Sequence, residues 1–135
     1  MNHGLTEYSY QTKLSMPYEK AIEKVTAALK EEGFGVMTEV NVKSTLNEKI
    51  GVDDFRKYII LGACNPSLAY QALQIQQDAG LLLPCNVIVY EEDADTSFVS
   101  ILDPITILGV ANNPELNSVA EEAQNRLRRV MESLS

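Results

Sequence analysis

Apolar and polar positions switch between a period of two and a period of about 3.6 along the chain, and the switches mark its elements. Residues 6–12 alternate in part, with Leu5, Tyr8 and Tyr10 as large apolar positions nearby. Thr and Tyr suit a pleated surface, so a first strand is predicted here. From Tyr18 the apolar positions run Tyr18, Ile22, Val25 and Leu29, with Ala21 and Ala28 beside them. That is one helical stripe, with Lys20, Glu23, Lys24 and Lys30 opposite. Ser15 is the expected cap, Pro17 suits the first turn, and Gly33 is the expected stop.

Residues 34–42 return to alternation. Val36, Thr38, Val40 and Val42 share one face, and Met37, Glu39 and Asn41 the other. This predicts a strand with one buried and one wetter side. A short helix follows over 43–50, capped by Ser44 and ended by Gly51. Residues 56–63 form a nearly continuous apolar run and a third strand. Asn65-Pro66-Ser67 opens a helix whose apolar face is Leu68, Ala69, Ala72, Leu73 and Ile75, with Gly80 closing it. Residues 81–90 give the strongest strand signal. Pro84 belongs at its entry or at a bulge, because proline cannot donate to a ladder.

The acidic stretch 91–95 is a tight turn, and 96–102 returns as the partner strand of a hairpin. Asp103-Pro104 breaks that strand, and 105–110 is apolar without a clear period. Asn113-Pro114 opens a last helix with Leu116, Val119, Ala120, Ala123, Leu127, Val130 and Met131 as its stripe. The order is β-α-β-(α)-β-α-β-β-α. The hairpin and the one-sided helices predict an α+β fold, a mostly antiparallel sheet with helices packed on one face. The other face is left to water or to a second subunit. Apolar residues on both faces of the third and fourth strands favour the subunit, so a homodimer is expected.

Composition adds bounds. The 135 residues suit one domain over 1–135, with 45% hydrophobic and 22% charged residues. The formal net charge of −8 argues against binding nucleic acid, which needs clustered basic residues to neutralise phosphates. The densest basic group, Arg126, Arg128 and Arg129, shares a helix with Glu121 and Glu122 and reads as a solvated helix end. The same charge disfavours an anionic membrane surface. The first ten residues lack the basic and apolar regions of an export signal, and no apolar run is long enough to span a bilayer. With only two cysteines, a cytoplasmic location is expected.

Three stretches carry a resemblance. They are Glu31-Glu32-Gly33-Phe34-Gly35-Val36, then Ile60-Leu61-Gly62-Ala63-Cys64-Asn65-Pro66 with Ala69 and Leu73, and Leu82-Leu83-Pro84-Cys85-Asn86-Val87. Asp103-Pro104 after the hairpin adds to them. Together they resemble the prokaryotic family known as domain of unknown function number 302, over nearly the whole chain. The pairing of Ala-Cys-Asn-Pro with Leu-Pro-Cys-Asn is the specific part. The resemblance implies an α+β sandwich with an antiparallel sheet and a homodimer. It implies no reaction, and it directs attention to Cys64 and Cys85 as the family's two motif cysteines.

The residues themselves point the same way. Cys64 ends a strand just before a helix N-terminus, where the helix dipole lowers a thiol pKa. Cys85 opens the next strand, and pairing of these strands in either sense does not by itself require the cysteines to lie together. A redox pair, a soft-metal site and a thiolate nucleophile are the functional readings; two small buried side chains are the bland one. Zinc takes four ligands and His3 is the only histidine, so no metal site is expected within one chain. No motif names a cofactor. Asn65 is expected to cap its helix, and Asn86 to bond backbone near Pro84; alternatively, the two amides orient a ligand beside the thiols. Asp53, Asp54, Arg56 and Tyr58 form a polar cluster that reads as a solvated turn with a surface ion pair.

The chain has no phosphate-binding glycine loop, no G-x-S-x-G, no C-x-x-C and no H-E-x-x-H. Three functions compete. The first is a dimeric small-ligand-binding or accessory domain with a pocket near Cys64, Asn65, Pro84, Cys85 and Asn86. The second is a thiol- or metal-dependent enzyme using Cys64. The third is an interaction module with both cysteines in its core. Whether the chain is an enzyme stays open at the level of sequence, and no catalytic residue is assigned.

Overall fold

The computed structural model describes residues 4, 5 and 7–134. Its strands are β1 (Gly4–Leu5), β2 (Ser9–Leu14), β3 (Gly35–Asn41), β4 (Tyr58–Cys64), β5 (Cys85–Asp93) and β6 (Thr96–Leu102). Its helices are α1 (Tyr18–Glu31), α2 (Val42–Ile50), α3 (Pro66–Ile75), α4 (Pro104–Gly109) and α5 (Asn117–Leu134). Short 3-10 turns cover Gln77–Leu82 and Pro114–Leu116. The strands form one antiparallel sheet in the order β1-β2-β6-β5-β4-β3. This is the α+β architecture that the hairpin and the amphipathic helices predict.

Alternation decides which side of the sheet is inside. Leu61 and Ala63 of β4, Cys85, Val87 and Val89 of β5, and Val99 and Ile101 of β6 all point inward. They meet Ala21, Val25 and Leu29 of α1 and Leu127, Val130 and Met131 of α5 in one core. A second cluster sits beside it, where Leu68 and Ala72 of α3 pack with Ala79, Leu116, Val119 and Ala123. The opposite sheet face carries a row of rings. Tyr58 stacks on Tyr90 at 5.5 Å, and Phe98 lies 5.4 Å beyond Tyr90. No helix among the described residues is long and apolar enough to cross a membrane.

Several expectations need correction. The strand predicted over 6–12 is β2, shifted to Ser9–Leu14, where it pairs with β6, and the short β1 precedes it; Thr6 and His3 lie outside the described residues. Ser15 does not cap α1; Pro17 holds the cap position in extended conformation without a side-chain bond. The cap of α2 is Asn41, whose side chain accepts from the Ser44 amide at 3.0 Å, in place of Ser44 itself. The predicted buried face of the second strand is not buried: Thr38 and Val40 are exposed, and Val42 belongs to α2. The reason is position, since β3 is the sheet's edge and bulges at Met37 between Val36 and Thr38. Helix α3 ends at Ile75, short of Gly80, and residues 81–82 are in a 3-10 turn while β5 begins at Cys85. Residues 105–110 largely belong to α4, capped by Asp103 accepting from the Ile105 amide.

Candidate functional site

The antiparallel pairing of β4 with β5 sets Ala63 opposite Cys85. The last residue of one strand therefore adjoins the first of the other, and Cys64 and Cys85 come to the same end of the sheet. Strand direction does impose this proximity, contrary to the sequence reading. Both remain thiols. Cys85 is buried and belongs to the main core, whereas Cys64 is half-buried.

Past this sheet end the chain turns directly into α3. Asn65 is the cap, its side-chain oxygen accepting from the Leu68 amide at 3.1 Å, and Pro66 occupies the first turn. Asn65 thus plays the capping role expected of it, and it does so at the wall of a cavity. The α1 terminus closes in from another side. Gly33 sits at φ +84°, with its amide donating to Lys30 and the Phe34 amide to Leu29. This is a Schellman ending that a glycine takes without strain. A side chain on Gly33 would fall 2.8 Å from Asn65 Nδ2 and 3.3 Å from Arg126 Nη1. The glycine therefore lets α1, α5 and the α3 cap meet closely, and it sends Phe34 into the cavity wall.

The cavity is lined by Cys64, Asn65, Pro84 and Cys85 from the sheet end, by Leu68 and Ala72 of α3, and by residues of α4 and α5. Leu82, at the end of the 3-10 turn, and Leu83 just after it line another side. The space open to a water's centre is about 30 Å³, enough for one or two waters or a few ligand atoms. Its walls carry no charged side chain. Asn86 is not part of it. Alternation along β5 turns Asn86 to the opposite, exposed face of the sheet, so the two amides do not flank the thiols.

Burial raises the pKa of both thiols. It pushes Cys64 above its ordinary value, the reverse of the expected depression. Cys85 is pushed up to about 11, first by burial and then by the charge of the adjacent Cys64. Both are neutral near pH 7, so the cavity is apolar electrostatically as well as by composition. Among the described residues no three His, Cys, Asp or Glu side chains gather as metal ligands would.

The other sequence candidates lie elsewhere. Arg56 reaches over the Tyr90 ring at 5.6 Å and donates to the Glu91 carbonyl at 3.5 Å, so it does not close the polar cluster with Asp53 and Asp54. Tyr58 belongs to the ring row on the outer sheet face. Asp93 accepts from the Asp95 amide at 2.9 Å, which spends it on the hairpin turn. Sequence reasoning missed Leu82, Leu83, Leu108, Val119 and Ala123 as cavity residues. The apolar stripes that contain Val119 and Ala123 were visible, but nothing along the chain says that they face the α3 cap.

Comparison with known proteins agrees with this fold. No curated protein matches the chain. The chain is similar to the crystal structure of an uncharacterized conserved DUF302 protein from Bacillus stearothermophilus, with 31% identity and a TM-score of 0.86. That likeness covers 96% of this chain and 100% of the other. The family model described as domain of unknown function DUF302 matches residues 10–134. With a family model that spans residues 10–134, the chain belongs to the DUF302 family.

Proposed function

We propose that this chain is a homodimeric, cytoplasmic small-ligand-binding or accessory domain whose ligand enters the cavity at Cys64, Asn65, Pro84 and Cys85. The carrying observation is the cavity itself, an uncharged recess at the paired ends of β4 and β5, walled by three helices and a 3-10 turn. Ligand sites are concave, mostly apolar and furnished with few polar groups. A volume of about 30 Å³ is small for a drug-sized molecule, so the ligand is compact or displaces Leu82 and Leu83 on entry. The half-buried Cys64 supplies a polarizable contact rather than a nucleophile, because burial raises its pKa.

Ala69 is half-buried on the cavity wall and is the position from which to fill it. In an amide-detected NMR screen of small neutral fragments, shifts are expected at residues 63–68 and 82–87. An Ala69→Leu variant, folded by the same spectrum, is expected to lose them. A screen in which no fragment moves these amides would remove the ligand-binding reading.

The dimer reading is supported by the outer sheet face, where Tyr58, Ile60, Ile88, Tyr90 and Phe98 form an apolar surface that no helix of the main core covers. An apolar patch of this kind suits a two-fold interface. Sedimentation of the native chain is expected to give twice the monomer mass. Ile88→Lys, which places a charge in the middle of the face, is expected to give monomer with an intact spectrum. A monomeric native chain at micromolar concentration would overturn this part of the reading.

A further inference from the structure

A second, wider recess lies on the other side of α4. It is lined by Ile105 and Gly109 of α4 and by Leu116, Asn117, Ala120 and Glu121 around the start of α5, together with Leu108. The space open to a water's centre is about 200 Å³, room for several waters. Its wall differs from that of the inner cavity. Asn117 and Glu121 add an amide and a carboxylate, where the inner walls have apolar side chains, two neutral thiols and the Asn65 cap.

Leu108 belongs to both walls, and it is the one residue that does. It is buried, 5% exposed, on a six-residue helix between the two spaces. A leucine changes the position of its methyl groups by hopping between staggered rotamers. Leu108 is therefore the side chain whose rotamer would decide whether the two spaces communicate. Joined, they would have an apolar end beside Cys64 and Cys85 and a polar end beside Asn117 and Glu121.

The chemistry of the two ends selects a ligand. The inner end cannot take a charge, because a buried ion without a partner is strongly disfavoured. The outer end offers a carboxylate on a chain whose net charge is −8, so it repels anions and accepts hydrogen bonds. We propose that the two recesses form one site, gated by Leu108, for a short aliphatic chain that ends in a hydrogen-bond donor, an ammonium or a hydroxyl. This rests on the ligand-binding reading of the inner cavity and specifies the class of ligand.

The test is an NMR titration of the full chain with hexylamine, hexanoate and benzene. Hexylamine is expected to shift inner reporters, Ala63 and Ala123, and outer reporters, Gly109 and Glu121, with a single midpoint. Hexanoate is expected to bind about tenfold more weakly, the effect of one unfavourable charge pair. Glu121 is exposed, and Glu121→Lys is expected to fold normally and to reverse that order. Benzene is expected to move the inner reporters alone. Equal binding of hexylamine and hexanoate, or different midpoints at the two ends, would overturn the joined site. If benzene still moves Ala63 and Ala123 in that case, the inner cavity reading survives; if no probe moves them, both fail.

Discussion

Replacing Gly62 with valine is expected to destabilise the protein by about 3 kcal/mol, the upper range for forcing added carbons into a packed site. Gly62 lies in β4 between Leu61 and Ala63, and its missing side chain would point to the outer sheet face. A Cβ there would collide with Thr38 Oγ1 and fall 2.9 Å from Pro84 Cγ. Thr38 can turn aside on its edge strand. The closed Pro84 ring has no rotamer by which to escape, and it also lines the ligand cavity. Valine brings two further carbons to the same place. The cost is read as a fall in the denaturation midpoint at unchanged slope. Gly109→Ala is the control, because a Cβ on Gly109 meets nothing within 4 Å, and it is expected to be neutral or slightly stabilising. Equal effects from the two substitutions would mean that Pro84 and Thr38 do not close over β4.

The second large effect is alkaline. Cys85 titrates near its ordinary value of 9.0 in the unfolded chain and near 11 in the folded one. Between these values the unfolded chain has released a proton that the folded chain retains. Unfolding is then increasingly favoured as the pH rises. The stability tied to the neutral Cys85 thiol is complete below pH 9 and declines toward pH 11, by about 2–3 kcal/mol in all. Cys64, also raised by burial, acts in the same direction. Lysines and tyrosines titrate in this range too, so the informative quantity is the difference between wild type and Cys85→Ala. That difference is expected to shrink from pH 9 to pH 11. A difference independent of pH would show that Cys85 is not held neutral by burial.

Much of the fold can be read along the chain, and the failures share a cause. Helices α1 and α5 were legible because each buries one stripe against the sheet, so periodicity and packing agree. The hairpin β5–β6 was legible because an acidic turn separates two strong strands. Strand β3 was misread because alternation of Val36, Thr38 and Val40 says nothing about whether a neighbour covers that face. Its edge position and its bulge are properties of the whole sheet. Residues 105–110 gave no period because α4 is too short to repeat one. The site was half legible. Cys64, Asn65, Pro84 and Cys85 stood out as motif residues, and the structure gathers those four at one cavity. Asn86 stood out equally and faces the other way, because the residue after Cys85 must point to the opposite side of its strand. The helix dipole suggested an acidic Cys64; burial raises its pKa, and the extent of burial is set by elements distant in sequence.

The most direct test of the cavity as a ligand site is the alkylation rate of each cysteine in native, reduced protein, read separately by mass spectrometry from pH 6 to pH 10, with and without hexan-1-ol. Cys64 is expected to react slowly, with an apparent pKa above its ordinary value of 9.0, and more slowly again when the alcohol fills the cavity. Cys85 is expected to stay unmodified until the protein unfolds. Rapid modification of Cys64 at pH 7, unaffected by hexan-1-ol, would contradict the account and make a reactive thiolate the centre of this protein's chemistry.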